Sequence, residues 1–274
     1  MSDLIVESSD GIAVVTLNRP SKRNAFSPEM IVRLAAFWRE IAQDDAVRVI
    51  VLTGAGTQAF SSGGDLGTLI PIMMRTRDPA DPWEEKLAAD RKQLGAALLR
   101  DASFFKPVIA AINGHAYAGG SELLMSTDLR VMSSEATIGF TEVRRGLIAH
   151  GGALVRAARQ VAWVHAMELL LTGEQVSARR ALEMGLVNRV VEPSEVMSSA
   201  LELARRVNLG APVALEKTKE AIVLSSGRPF DEAFAIETRC TKENAATDDA
   251  REGPRAFLEK RPPVFRGRAP RPPK

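Results

Sequence analysis

Cysteine is almost absent from this chain. Its single thiol, Cys240, excludes an internal disulfide and suits a reducing compartment. A lone cysteine can be a nucleophile, but the flanks "ETRCTKEN" read as a helix surface, and the bland reading is preferred. No uninterrupted apolar run approaches a membrane span. The opening "MSDLIVESSD" lacks the basic patch and apolar core of a secretory signal. A cytoplasmic protein is therefore expected. Excess charge is scarce as well, at a formal net +2 over 274 residues. What basicity there is lies in the last segment, "RPPVFRGRAPRPPK", which holds Arg261, Arg266, Arg268, Arg271 and Lys274 and no acid. Subtracting those five cations from +2 leaves −3 for the body. A nucleic-acid surface would need a basic face with aromatics between the cations. A solvated Pro-rich tail explains the run better, so neither nucleic acid nor membrane is an expected partner.

What is present is ordinary for a globular protein: 45% hydrophobic and 26% charged residues, long enough for one large domain or a domain with an extension. "LIVESSDGIAVVTLN" reads as two strands around a turn at Asp10-Gly11. Ser27 and Pro28 suit the cap and first position of a helix, and Met30, Ile31, Leu34, Phe37, Trp38 and Ile41 recur at helical spacing. "VRVIVLT" and "PVIAAIN" read as buried strands. Residues 66–82, with Pro71, Pro79 and Pro82, read as an irregular flap, and residues 84–100 as one helix. "GGSELLMSTD" reads as a helix, and "LRVMS" and "ATIGF" as short strands. The helices "ALVRAARQV", "HAMELLLTG" and "SARRALEMG" follow, then a strand "VNRVV" and three further helices. There is no internal repeat. The pattern is an α/β core with a helical C-terminal part.

"VIVLTGAGTQAF" matches a dinucleotide fingerprint through Gly54, Gly56 and Ala59. That motif needs a helix to start at the turn and an acid about 20 residues on, ending the next strand. Here "FSSGGDL" follows, and Asp78 and Asp81 fall in the flap, so a nicotinamide cofactor is rejected.

Two glycine turns follow buried strands: "FSSGGDL" with Gly63, Gly64 and Asp65, and "AYAGGSELL" with Gly119 and Gly120. Glycine lets backbone approach a ligand, and a helix start leaves amides unpaired. Two such amides converging on one oxygen would form an oxyanion hole. Glu122 lies in an apolar stretch directly after the second turn, where a buried carboxylate is costly unless paired or used. Glu142 follows "ATIGF", beside Arg144 and Arg145, and reads equally as a surface ion pair or as a partner of Glu122. Two carboxylates near one water could hold it and exchange protons with a substrate.

"NRPSKRNAFSPEM", "LTGAGTQAFSSGGDL", "KPVIAAINGHAYAGGSELLMSTDLRV", "ATIGFTEVRRGLI" and "MELLLTGEQVSARRALEMGLVNRVV" occur in this order. Together they resemble the crotonase superfamily, the enoyl-CoA hydratase/isomerase enzymes, over about residues 4–260. The resemblance implies a crotonase-like spiral of repeated ββα units over residues 1–195, a helical trimerisation region over 196–260, and a basic Pro-rich tail over 261–274. It implies an acyl-CoA substrate, no metal and no cofactor beyond the coenzyme A of the substrate. It implies a homotrimer or a hexamer built as a dimer of trimers. It places oxyanion-hole amides on Gly64 and Gly119 and the catalytic acids on Glu122 and Glu142. CoA contacts fall on Lys22, Arg23, Ala25, Asp65, Phe257 and Lys260, the last two often across a subunit interface. Hydratases of the family usually carry an Ile-Pro-Gly-like turn where this chain has Ile148-Ala149-His150, and dienoyl-CoA isomerases a third acid at the place of His150. His150 is accordingly expected to face the acyl pocket. Hydration of a 2-enoyl-CoA is the leading expectation. An enoyl- or dienoyl-CoA isomerase, or a non-catalytic binding protein on the same fold, are the alternatives.

Overall fold

Asp10 and Gly11 both adopt positive φ, 50° and 79°, the backbone of a tight hairpin turn. They join β1 (Leu4–Ser9) to β2 (Ile12–Leu17) in an antiparallel pair. The computed structural model describes residues 2–101 and 103–267. Helix α1 (Pro28–Ile41) begins as its sequence dictates, with Ser27 Oγ accepting the Met30 amide at 3.0 Å. All six apolar residues of its periodic stripe are buried.

The chain then repeats one theme. A strand enters a large sheet, a short strand enters a small sheet, and helical structure follows. The first turn of this pattern is β3 (Val49–Gly54), β4 (Ala59–Ser61) and three helices, α2 (Leu69–Met74), α3 (Pro82–Ala89) and α4 (Lys92–Ala97). The second is β5 (Val108–Ile112), β6 (His115–Tyr117) and α5 (Gly119–Leu124). The third is β7 (Leu129–Ser133), β8 (Thr137–Gly139), a 3-10 turn over Thr141–Arg145, α6 (Ala153–Gln160) and α7 (Trp163–Thr172). Next come β9 (Gln175–Ser177), α8 (Ala178–Glu183) and β10 (Arg189–Val191). Helices α9 (Val196–Asn208), α10 (Pro212–Ser225), α11 (Phe230–Ala245) and α12 (Asp249–Leu258) complete the chain.

The large sheet has the order β1-β2-β3-β5-β7-β10 and is parallel from β2 onward. Its central strands are buried on both faces, which is why they read as unbroken apolar runs. Ile50 and Leu52 face the main core with α1, while Val49 and Val51 pack with Val196, Ala200 and Ala204 of α9. The small sheet runs β4-β6-β8-β9, with the first three strands parallel. This arrangement positions the site. Parallel neighbours end at one edge, so the turns after β4, β6 and β8 lie side by side.

Six sequence expectations need correction. Residues 84–100 are two helices, because Asp90 leaves the helical region (φ −137°, ψ 89°) and its carboxylate caps the Lys92 amide at 3.1 Å. The flap is not wholly irregular: α2 forms within it and buries Leu69 and Ile72. Strands β4, β6 and β9 are absent from the sequence expectation, and among the described residues four helices, not three, follow β10. Cys240 is buried on α11 rather than surface-exposed, and burial pushes its thiol up. The tail is tied down as far as it is described. Glu252 accepts from Arg261 (2.6 and 3.0 Å) and from the Val264 amide, and Asp249 accepts the Arg266 and Gly267 amides at 2.8 Å. Arg268, Arg271 and Lys274 lie outside the described residues.

Candidate active site

The sequence that imitates a dinucleotide fingerprint leads into β4, a strand, and not into a helix. After β4 the chain turns through Gly63 at φ +88°. The Phe26 amide donates to Gly63 O at 2.8 Å and the Asp65 amide to Phe26 O at 3.0 Å. Between them, the Gly64 N–H has no hydrogen-bond partner among the described residues. After β6 the turn contains Ala118, whose φ of 47° and ψ of −125° suit glycine far better than alanine. That backbone launches α5 at Gly119, whose N–H is at a helix start and likewise has no partner among the described residues. The two turns touch backbone to backbone. A Cβ added to Gly63 would lie 2.9 Å from Gly119 N, and one added to Gly119 would lie 3.6 Å from Gly63 Cα.

Helix α5 is clamped to the small sheet by Ser121, whose Oγ bonds the Ala116 and Gly139 carbonyls at 2.7 and 3.0 Å. One residue on, Glu122 is only 5% exposed. Its Oε1 accepts the Gly151 amide at 2.6 Å and the Ala153 amide at 3.4 Å, at the start of α6. Glu142, in the 3-10 turn after β8, is 8% exposed, and its Oε2 is buried with no hydrogen-bond partner. Glu142 is therefore no surface ion pair. Its neighbour Arg144 instead pairs with Glu174 at 2.9 Å, and Arg145 bonds Thr141 Oγ1 at 2.7 Å.

The charge of Glu142 reaches Glu122. Burial, and then the charge of Glu142, raise the Glu122 carboxyl to about 7, against the pull of the Ala153, Gly151 and His150 amides. Burial also raises Glu142, opposed by its own amide and by Arg145. Two buried carboxyls held above the usual range, one of them near neutrality, together with two unpaired amides form an arrangement that can move protons and hold a developing oxyanion.

The loop before α1 abuts this edge. Asn24, fully buried at φ 53°, accepts the Arg19 amide at 3.0 Å and donates to Ala55 O and Ala59 O at 3.0 and 2.7 Å. It seats Lys22 and Arg23, both exposed, and the buried Ala25 against β4. Asp65 is committed to the loop itself. It pairs with Arg19 at 3.0 Å and accepts the Gly67 and Thr68 amides. Burial pushes its carboxyl up, but the Gly67 amide and Arg19 prevail and hold it below the usual range. Asn24, Ala118, Ser121 and Gly151 were missed from sequence. Only the glycine-rich setting of the last three was a signal.

Two expected site residues stand apart. Phe257 and Lys260 sit at the end of α12, exposed, with the Lys260 amide bonded only to Phe257 O. No hydrogen bond of the described residues joins them to the glutamates. The His150 side chain is exposed and makes no hydrogen bond among the described residues, whereas its backbone amide is what lies toward Glu122.

A family model described as enoyl-CoA hydratase/isomerase matches residues 7–268. The chain belongs to that family. It is 38% identical over 266 residues to the enoyl-CoA hydratase EchA19 of Mycobacterium tuberculosis, with 97% of each chain covered. It is 37% identical over 262 residues to the (E)-benzylidenesuccinyl-CoA hydratase of Thauera aromatica, covering 96% of this chain and 98% of the relative. The crystal structure of an enoyl-CoA hydratase from Bacillus anthracis superposes with a TM-score of 0.87 at 30% identity, over 97% of this chain and all of that one. The protein is thus an enzyme of the enoyl-CoA hydratase/isomerase family with the crotonase-like fold expected from its sequence.

Proposed function

We propose that the enzyme adds water to 2-enoyl-CoA thioesters, reversibly, to give 3-hydroxyacyl-CoA. The observation that carries this reading is the pair of buried carboxyls, Glu122 and Glu142, the first raised by the charge of the second as well as by burial, at the edge that presents the free Gly64 and Gly119 amides. A thioester carbonyl between those amides polarises the conjugated double bond and makes C3 electrophilic. Glu122 takes a proton from water as its oxygen bonds to C3. The electron pair moves to the carbonyl oxygen, where the two N–H groups stabilise the enolate. Glu142 supplies a proton to C2 as the carbonyl reforms. One water is added and nothing is oxidised, so the step calls for neither a redox cofactor nor a metal. The protons are shared by the pair, and its titration belongs to both residues.

Lys22 and Arg23 are the cations we assign to the CoA phosphates, with Ala25 and Asp65 shaping the loop that receives the pantetheine arm. Phe257 and Lys260 are assigned to CoA across a subunit interface in a homotrimer or hexamer. Support for assembly comes from the apolar side chains that α11 and α12 leave outside: Phe230, Phe234, Phe257 and Leu258. Light scattering that gave a monomer at micromolar concentration would contradict assembly. The cytoplasm is the compartment we assign, on the chain's single cysteine. No helix among the described residues is long and apolar enough to cross a membrane.

The test is a panel of 2-enoyl-CoAs incubated with the enzyme and read by mass. Hydration adds one water and removes the conjugated thioester absorbance. A product of unchanged mass with a displaced double bond would make the enzyme an isomerase.

A further inference from the structure

Arg156, one turn into α6, is half-buried, yet it makes no ion pair among the described residues. Its partners are neutral and come from three segments. Nη1 donates to Ser126 Oγ at 2.9 Å, just beyond α5. Nη2 donates to the Leu99 carbonyl, beyond α4, where Leu99 itself is held at φ +50°. The backbone amide donates to Gly152 O at 3.0 Å, and the guanidinium folds over that glycine so closely that a Cβ there would lie 2.5 Å from Nη1. Ser126 Oγ in turn donates to Leu98 O at 2.7 Å. Leu98 closes the ring, since its Cδ1 would lie 2.5 Å from a Cβ on Gly151, whose amide holds Glu122.

A half-buried cation satisfied only by neutral acceptors is costly, and a neutral side chain could make the same hydrogen bonds. The charge also acts beyond the staple, first with Asp101. Glu122 is among the carboxylates whose charge acts on Arg156, with Asp101 and Asp128, while Arg100 opposes them. On the Glu122 side the other facing charge is Glu142, from the 3-10 turn.

We propose that Arg156 is a positioning residue: it ties the ends of α4 and α5 to the Gly151–Gly152 turn and so holds Glu122 in register with that turn. The inference rests on the hydratase reading for its kinetic consequence but not for its electrostatic one. Two readouts keep these apart. Enzyme labelled with carbon-13 at the glutamate carboxyls, with Glu122→Gln for assignment, gives the Glu122 titration directly. Arg156→Gln should raise that midpoint by about half a pH unit or more, and Arg156→Lys should hold it near the wild-type position. In hydration assays Arg156→Gln should lower kcat about tenfold or more with KM within about threefold, and Arg156→Lys should recover most of the loss. Ser126→Ala keeps the cation and loosens the staple. It should lower kcat a few-fold without moving the midpoint, and it stands in should Arg156→Gln not fold. An unmoved Glu122 midpoint in folded Arg156→Gln, or wild-type kcat in both Arg156→Gln and Ser126→Ala, overturns the proposal. A wild-type enzyme that hydrates no enoyl-CoA would sink the hydratase reading instead, leaving the titration to decide on Arg156.

Discussion

The carboxylate of Glu122, carried by α5, accepts the Gly151 amide at 2.6 Å and so caps α6 from another helix. A helix start favours the ionised acid. Burial and Glu142 favour the neutral one and win, which leaves Glu122 near the pH at which a base is most useful. The same contact fixes the acid in space. Structure and acidity are set here by one arrangement of backbone.

The proposed division of labour predicts that Glu122→Gln and Glu142→Gln each lower kcat by about 10²–10⁴-fold, the usual contribution of a general acid or base. Thioester binding should survive, because neither residue holds the CoA arm. The double variant should lose far less than the product of the two, since the residues act as a unit. Steady-state assays on crotonyl-CoA decide it. A single variant with wild-type kcat would remove that residue from the chemistry.

The raised Glu122 value also has a stability consequence. Its carboxyl goes from an ordinary 4.5 when unfolded to about 7 when folded. Between those values the folded state binds more protons, so stability falls as pH rises through this window and stays low above it. The cost above pH 7 is on the order of 3 kcal/mol. Glu142, raised too, acts in the same direction. Glu122→Gln should therefore be more stable than wild type at pH 8 and lose that advantage by pH 4. Thermal unfolding at both pH values checks this. An equal Tm difference at the two would mean that Glu122 titrates as an exposed acid.

Much of this was legible from the residues, and the exceptions have physical causes. β3 and β5 stand out because both faces are buried, and α1 because Ser27 and Pro28 announce its start. The strands of the small sheet are three residues each, too short for any period, and β4, β6 and β9 escape the sequence for that reason. Asp90 carries no breaker signal, so the division of α3 from α4 could not be seen. Glu142 was ambiguous because two arginines follow it, and only the fold turns Arg144 away to Glu174. The place of His150 in the chain cannot say whether its side chain or its amide faces Glu122, and here it is the amide that lies toward that acid. Asn24 left no trace, since its partners lie in β4 and the preceding loop, more than thirty residues away.

The contact between the glycine turns predicts an ordered series. Gly63→Ala combines a positive φ with a Cβ 2.9 Å from Gly119 N, so it should crowd the amide and lower kcat about 10²-fold or more. Gly119→Ala meets the Phe26 ring edge at 3.3 Å and Gly63 Cα at an ordinary 3.6 Å, and should keep substantial activity. Gly119→Pro removes the donor and should be inactive, with circular dichroism required to show that it folds. Folded Gly119→Pro with full turnover would exclude that amide from the oxyanion hole.

Gly151→Ala tests whether the position of Glu122 matters apart from its identity. Gly151 is outside the left-handed region, so alanine brings no backbone strain there, only volume. The new Cβ would lie 2.8 Å from Glu122 Oε2 and 2.5 Å from Leu98 Cδ1. Both neighbours are buried, and overpacking of this kind costs about 1–3 kcal/mol. One of them must move. If Glu122 moves, kcat should fall at least about tenfold while KM changes little, because both carboxyls and both amides of the proposed mechanism are still present. Leu98→Ala provides the control. It opens space on the other side of Gly151, so the double variant should be less destabilised than the sum of the singles, a coupling expected of residues in contact. Additive stabilities together with wild-type kcat in Gly151→Ala would show that the turn gives way freely, and that the cap on α6 does not set the geometry of the base.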